Sequence, residues 1–572
     1  MNYTKSVEKW GVFEFCSEGT TAGNPFLERS ITALFESDSE RKTVNGFYDG
    51  NGIYKVRFMP SFEEEYHFTV CGNFSDSKYE GTFSVTPPSE NNHGCVKVHN
   101  KYHFQYSDGT PYYPVGTTCY VWNLQSDDLI AQTLEALKNS PFNKIRFCIF
   151  PKSYCYNSRE PRSYPYEGTP VDGSAITEDN VWGYTPDSKG NNWDFERFNP
   201  KHFQHIEYCI SELQKLGIEA DIILFHPYDR WGFSTMTPEQ NELYLKYTAA
   251  RFSAFRNVWW SFANEYDLIK NKSIEDWERY AQIIVESDPY DHLRSIHNGN
   301  QFYDHTKSWI THCSIQRSPE GTSEWRKSYG KPIVIDEMLY EGNIQYAWGN
   351  ISPQELIRRF WEALCRGGYG GHGETYIDDK AVWWSHGGEL KGDSPERIAF
   401  MRKILEEAPD GGLRPKNMEW DELCVVPEDE NLSDETGYHL FYNGISRPGF
   451  RYYHIDDNNI YTVDIIDTWN MTVENVGSFK GRFRIDLPTR EYLAVRIKKA
   501  ENGIEECSPR EVTYYSTILA CSDLGKAVAC RRDINLSPLG ELQYENDLYA
   551  DSIYQRLIDW LRNSECEYVH TT

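Results

Sequence analysis

Two glutamates offer most of the chemistry in this sequence. Glu265 ends the run Trp259-Trp260-Ser261-Phe262-Ala263-Asn264-Glu265, and Glu337 ends Pro332-Ile333-Val334-Ile335-Asp336-Glu337. Each stands where an apolar run gives way to polar residues. Arg146, His226-Pro227-Tyr228-Asp229, His297-Asn298, His312 and His372-Gly373-Glu374 lie on or just after similar runs. Two carboxyl groups facing each other across a pocket suit glycosidic-bond hydrolysis. One, protonated, releases the leaving alcohol, and the other, ionised, attacks the anomeric carbon. The plainer reading is a pair of ion pairs with Arg146 or another cation. A lone glutamate at a strand end is common, but two together, with Asn264 directly before Glu265, favour the catalytic reading.

The elements that must position these residues run from about 95 to 415 as repeated strand, loop and helix. Strands are expected at 113–118, 144–150, 219–225, 258–263, 294–297, 310–315, 332–337 and 368–373. Runs such as Ile222-Ile223-Leu224-Phe225 fit parallel strands buried on both faces. Phe203, Ile206, Ile210 and Leu213 fall on one helical face, entered through Asn199-Pro200. Thr237-Pro238-Glu239-Gln240 and Ser352-Pro353-Gln354-Glu355 read as capping boxes with proline at the first helical position. Eight such units predict an α/β fold, a (β/α)8 barrel, whose chemistry sits at the C-terminal ends of its strands. An open doubly wound sheet would want a glycine-rich loop after its first strand, and Cys119-Tyr120-Val121-Trp122-Asn123 is not one. Alternation places Trp259, Ser261, Ala263 and Glu265 on one side of the fourth strand. It places Ile333, Ile335 and Glu337 on one side of the seventh. Strands 4 and 7 are opposite in the barrel, so the two carboxylates should face each other.

Flanking regions follow another period. Tyr54, Val56 and Phe58 alternate with Lys55 and Arg57, so residues 1–88 read as an N-terminal β-sandwich, with 89–94 as linker. Residues 420–500, with Phe483, Ile485 and Leu487 alternating with charged residues, read as a C-terminal β-sandwich. Residues 505–572 form an extension in which Ile553, Leu557, Trp560 and Leu561 predict a terminal amphipathic helix.

Composition narrows the partners. The chain has 572 residues with 58 basic and 86 acidic side chains, a formal charge of −28. That balance disfavours nucleic acid and anionic membranes. Aromatic residues are 15% of the chain, enough to supply flat faces for sugars or to fill β cores. Residues 1–15 lack an apolar segment and a small-residue cleavage site, and no apolar run is long enough to span a membrane. The 14 cysteines include no CxxC pair, so reduced thiols in a cytoplasmic protein are expected. No HxH or HExxH occurs among the 16 histidines, so neither metal nor cofactor is expected. A homo-oligomer is compatible with the flanking sandwiches and the terminal helix.

The Asn264-Glu265 and Glu337 motifs, with their placement on strands 4 and 7, resemble clan A of the retaining glycoside hydrolases. The sandwich–barrel–sandwich order is similar to family 5 and apiosidase-like glycosidases. This resemblance implies Glu265 as general acid/base, Glu337 as nucleophile and Asn264 on the sugar 2-hydroxyl. It implies Arg146 orienting Glu337, and His226 and His297 lining the subsite of the terminal sugar. Clan members carry an aromatic near the end of strand 6, where this chain has His312. They place a tryptophan after strand 8, which points to Trp384 beneath the sugar. Trp122, Tyr228, Trp231, Tyr340 and Trp383 follow strands and are candidate stacking surfaces, while Trp259 and Trp260 read as packing. His372 and Glu374 could meet substrate hydroxyls or bond to each other. Asp229 and Asp336 should orient neighbours. The expected activity is a retaining O-glycosidase acting on a terminal sugar of a short oligosaccharide or small-molecule glycoside. The alternatives are an endo-β-glycanase of the family 5 type and a non-catalytic carbohydrate-binding barrel.

Overall fold

The structure, a computed structural model, describes residues 2–154, 156, 160–170, 191–377, 382–416, 422–428 and 437–500, with three short strands further on. The helix expected around Ile553–561 lies outside the described residues. The chain divides into two compact units, Met1–Met418 with Leu423–Asp429, and Glu419–Glu422 with Glu430–Thr572.

The first unit holds a parallel eight-stranded barrel. Its strands are β1 (Gly116–Thr118), β2 (Lys144–Cys148), β3 (Glu219–Phe225), β4 (Val258–Ala263), β5 (Arg294–Ser295), β6 (Cys313–Gln316), β7 (Ile333–Glu337) and β8 (Tyr369–His372). They hydrogen-bond in the order β5-β4-β3-β2-β1-β8-β7-β6. The ring closes between β5 and β6 through the parallel bridge His297–Ser314 and through Thr311 N–H donating to Arg294 O at 2.9 Å. β2, β3 and β4 are buried along their whole lengths, which is why their sequences read as unbroken apolar runs.

Helices cover the outside: α1 (Asp127–Lys138), α2 (Pro200–Lys215), α3 (Pro238–Phe252), α4 (Ile274–Ser287), α5 (Thr322–Tyr329), α6 (Pro353–Cys365) and α7 (Ser394–Glu406). The Thr237–Gln240 capping box is complete in both directions, and Ser352 accepts from Glu355 N–H at 3.2 Å. Asn199 precedes α2 without a side-chain cap bond; its amide instead donates to Tyr164 O at 2.9 Å. α6 ends at Gly367, whose φ of 79° is open to glycine at little cost and reverses the chain into β8.

Several strands are shorter than expected, and departures in two of them bear on the site. The sixth begins at Cys313 rather than at 310, so His312 lies at its entry, the end away from the barrel mouth. There its ring packs 5.1 Å from Trp259 and 5.8 Å from Phe104. β7 also breaks simple alternation. Ile335 pairs with Gly370, whose missing side chain would point at Phe360 of α6, so Ile335 faces the helices. Asp336 then faces the interior, taking Lys144 at 2.7 Å. The register between β6 and β7 slips after Ser314, and this bulge returns Glu337 to the mouth beside Asp336.

The barrel floor is covered by an antiparallel meander of Val96–His99, His103–Tyr106 and Pro111–Tyr112, with Phe104 5.6 Å from Trp259. N-terminal to it, sheets of four and five strands sandwich a core of Phe13, Phe15, Phe35, Phe58, Phe68 and Phe83, with Phe35 stacked on Phe58 at 4.1 Å. Buried Arg57 reaches out of this sandwich to Glu207 of α2 at 2.7 Å and to Arg251 O of α3 at 2.9 Å. A buried guanidinium must have its donors satisfied, so this contact fixes the sandwich on the barrel.

In the second unit Tyr438–Tyr442, Leu493–Lys499, Tyr461–Asp467 and Thr472–Phe479 form an antiparallel sheet, and Phe450–His454 pairs with Arg482–Asp486. Val463, Phe483, Ile485, Val495 and Ile497 fill its core, as the alternation of the sequence requires. Ile518–Cys521, Ala527–Cys530 and Val569–Thr571 pair as a small antiparallel sheet.

Candidate active site

A cavity of about 630 Å³ opens at the C-terminal ends of the barrel strands, and both Glu265 and Glu337 line it. Glu265 follows β4 by two residues, in a left-handed backbone conformation, φ 52° and ψ 56°. That region is uncommon for a residue with a side chain and recurs at functional positions. Its main-chain N–H donates to His297 Nδ1 at 3.4 Å. With Nδ1 accepting and burial holding the imidazole neutral, the ring proton sits on Nε2, 3.9 Å from Glu337 Oε1. His297 thus lies beneath both acids rather than on the cavity wall.

Hydrogen bonds tie the two carboxylates together. Arg146 Nη1 donates to Glu337 Oε1 at 3.0 Å and to Asn264 Oδ1 at 2.9 Å. Asn264 Nδ2 donates to Glu265 Oε2 at 3.1 Å, and the Tyr228 hydroxyl donates to the same oxygen. The Tyr120 hydroxyl donates to Glu337 Oε1; burial and the Glu337 charge hold its pKa well above the ordinary range, so it remains a donor. The Gln316 amide, oriented to satisfy its neighbours, donates to Glu337 Oε2 at 3.2 Å and to Asn298 O at 3.3 Å.

Burial first, and then the Glu337 charge, push Glu265 up to about 7, against the pull of Lys152. Lys152 is itself buried and brought down to about 8. Its ammonium lies 3.2 Å from the centre of the Tyr120 ring, 4.2 Å from Tyr228 and 4.6 Å from Tyr154, a cation held by aromatic faces. Tyr340, Trp348 and Trp384 complete an aromatic wall, with Trp348 and Trp384 rings 4.7 Å apart.

Of the residues singled out from sequence, Glu265, Glu337, Tyr228, Tyr340 and Trp384 line the cavity. Arg146, Asn264 and His297 support the acids from below. Four others expected to touch substrate are placed elsewhere. His312 is on the floor. His226 is buried with Nε2 3.3 Å from Phe150 O. Trp122 packs edge-on against Phe147 within the loop after β1. His372 stacks on Phe142 and meets Thr117 Oγ1 at 2.9 Å, on a layer outside the cavity. Trp231 packs on Tyr164 and Phe233, and Asp229 accepts from the N–H groups of Trp231 and Ser234, shaping the loop after β3. Tyr120, Lys152, Gln316 and Trp348 were not anticipated. Tyr120 follows β1 by two residues, Gln316 is the last residue of β6, and Lys152 follows β2 by four.

A profile of the family described as "Apiosidase-like, catalytic domain" matches residues 98–422, more than half of the chain. The chain belongs to the apiosidase-like glycoside hydrolases. Its acid pair therefore sits in a carbohydrate-cleaving enzyme, as the geometry alone suggested. Two domains of unknown function, DUF5060 and DUF5605, match residues 6–73 and 420–498, the regions of the two flanking β units. A candidate glycoside hydrolase of known structure from Bacteroides vulgatus is 37% identical, with 87% of this chain and 100% of that chain covered at a TM-score of 0.79. A family 5 glycoside hydrolase from the same organism shares the fold at 15% identity and a TM-score of 0.54, over 74% and 96% of the two chains. No curated protein matches the chain.

Proposed function

We propose that this apiosidase-like enzyme is a retaining O-glycosidase that removes a terminal sugar from a short oligosaccharide or a small-molecule glycoside. The observation that carries the proposal is the joining of Glu265 and Glu337 in one cavity, linked through Arg146 and Asn264. A gap of about 5–5.5 Å between the two carboxyl groups would serve retention, and one of roughly 6.5–9.5 Å would serve inversion.

In the first step a Glu337 oxygen attacks C1, the C1–O bond to the leaving group breaks, and Glu265 gives its proton to the departing oxygen. A pKa near 7 keeps much of Glu265 protonated at neutral pH. In the second step Glu265, now a carboxylate, takes a proton from water. The water oxygen attacks C1 and Glu337 leaves. Arg146 and Tyr120 hold the Glu337 oxygen that both donate to, and Trp384 and Trp348 offer a surface for the sugar. Asn264, Arg146 and Tyr228 act on substrate or on the acids as positioning groups.

The family name makes apiosides the first glycosides to try. A screen of nitrophenyl and plant glycosides, with the product anomer read by NMR, tests the proposal. Retained anomeric configuration and release of single terminal sugars are expected. An inverted product, or internal cleavage of a polymer, would overturn it. Nine cysteines, from Cys16 to Cys424, are free, which fits a reducing compartment such as the cytoplasm. No helix among the described residues is long and apolar enough to cross a membrane.

A further inference from the structure

Just beyond β7 and β8 the chain forms a second parallel pairing, Glu341–Gly342 beside Glu374–Thr375. Glu341 and His372 are fully buried and Glu374 is 1% exposed. One ligand atom from each of these three side chains lies within 4.8 Å of the other two. Glu341 Oε2 and His372 Nε2 are buried without a hydrogen-bond partner. Buried polar atoms are rarely left in that state, and two carboxyl groups buried side by side are costly unless a cation or a bound proton offsets their charge.

The remaining atoms of the cluster are held from outside. Ser394 donates to Glu341 Oε1 through both its hydroxyl, at 2.5 Å, and its N–H, at 3.3 Å. Glu374 Oε1 and Oε2 accept from Lys391 N–H at 2.6 Å and Gly392 N–H at 2.9 Å. A side chain at 392 would begin 1.7 Å from Glu341 Oε1, so glycine is what lets that backbone approach. The Thr117 hydroxyl already accepts from Trp383 Nε1 at 2.9 Å. Its second lone pair is open to a proton on His372 Nδ1, which would leave Nε2 as a neutral donor pair. Metal-ligating histidines and carboxylates are oriented by outer contacts of this type.

We propose that Glu341, His372 and Glu374 bind one divalent transition-metal ion such as zinc. An imidazole among the ligands argues against calcium and magnesium, which take oxygen donors. The site is structural. None of the three residues lines the cavity, but Tyr340, adjacent to Glu341, does, and its ring lies so close to Gly373 that a side chain there would begin 2.4 Å away. An ion joining Glu341 to His372 and Glu374 pins the ends of β7 and β8 around that ring. This inference is independent of the stereochemistry and substrate proposed above.

The test uses the full chain, stripped with a chelator and then titrated with zinc alone. Expected are one tightly bound zinc per chain by elemental analysis and calorimetry, and a Tm that rises with zinc and falls again with chelator. His372→Ala and Glu341→Gln should each reduce bound zinc at least tenfold. Absence of stoichiometric zinc binding, with a Tm indifferent to zinc and chelator, would overturn the proposal, as would undiminished zinc in both variants. If His372→Ala does not fold, Glu341→Gln and the wild-type titration still decide the matter.

Discussion

Two charged clusters sit one above the other inside the barrel, built from nearly the same strands. In the lower one, Lys144 of β2 bonds Asp221 of β3 and Asp336 of β7, each at 2.7 Å. In the upper one, Arg146 of β2 bonds Glu337 of β7 and Asn264 after β4. The lower cluster is closed off by Trp259, His312 and Phe104, whereas the upper faces a cavity. Burial without access leaves the lower charges only a structural use. A carboxylate one residue further along β7 meets an open space large enough for a sugar. An ionic network in a barrel therefore takes its role from its opening as much as from its residue types.

The largest effect that tests this contrast is Glu337→Gln. It should lower kcat by about 10⁴-fold or more, in the range seen when a nucleophile is removed, while the melting temperature stays near that of the parent. Lys144→Met should do the reverse. It strands two buried carboxylates and should cost about 3–5 kcal/mol of stability, read by urea denaturation, with the folded fraction still active. A stable but inactive Lys144→Met would collapse the distinction between the two clusters. Next, Glu265→Ala should reduce turnover by about 10²–10⁴-fold on glycosides with poor leaving groups. The loss should be much smaller on nitrophenyl glycosides, whose leaving groups need little protonation. Equal losses on both would remove Glu265 from the acid role.

The smallest effect concerns pH. In the proposed mechanism Glu265 acts in its protonated form, so kcat/KM should fall as pH rises through about 7. The Lys152 ammonium favours the ionised form of Glu265 and so lowers its pKa. Lys152→Met should move this alkaline limb to higher pH. A limb that stays in place or moves down would show that Lys152 does not act on Glu265.

Much of this site could be read from sequence because barrel chemistry collects at strand ends. Asn264, Glu265, Glu337 and Arg146 were found that way. The same rule failed where a residue within an expected strand was taken for one at its end. His312, inside the expected strand 310–315, was assigned to the mouth although it precedes β6, and Gln316 at the mouth was passed over. Alternation gave the right face for Glu265 but not the right reason for Glu337, because a bulge that no residue pattern announces turns β7. Tyr120 was passed over for Trp122, since aromatic size suggested sugar stacking while the backbone sends Trp122 into the core. Such errors share one cause: side-chain direction in a loop depends on contacts made by distant segments. The flanking sheets were easier, because period-two patterning depends on neighbouring residues alone.

The meander beneath the barrel carries one more consequence. With Phe104 stopping the lower end, the chamber works as a cul-de-sac. In the two-step pathway proposed above, the released alcohol must back out through the doorway before water can come in to finish the cycle. Small alcohols added to the solution would join that queue, and alkyl glycosides should accumulate at the expense of free sugar.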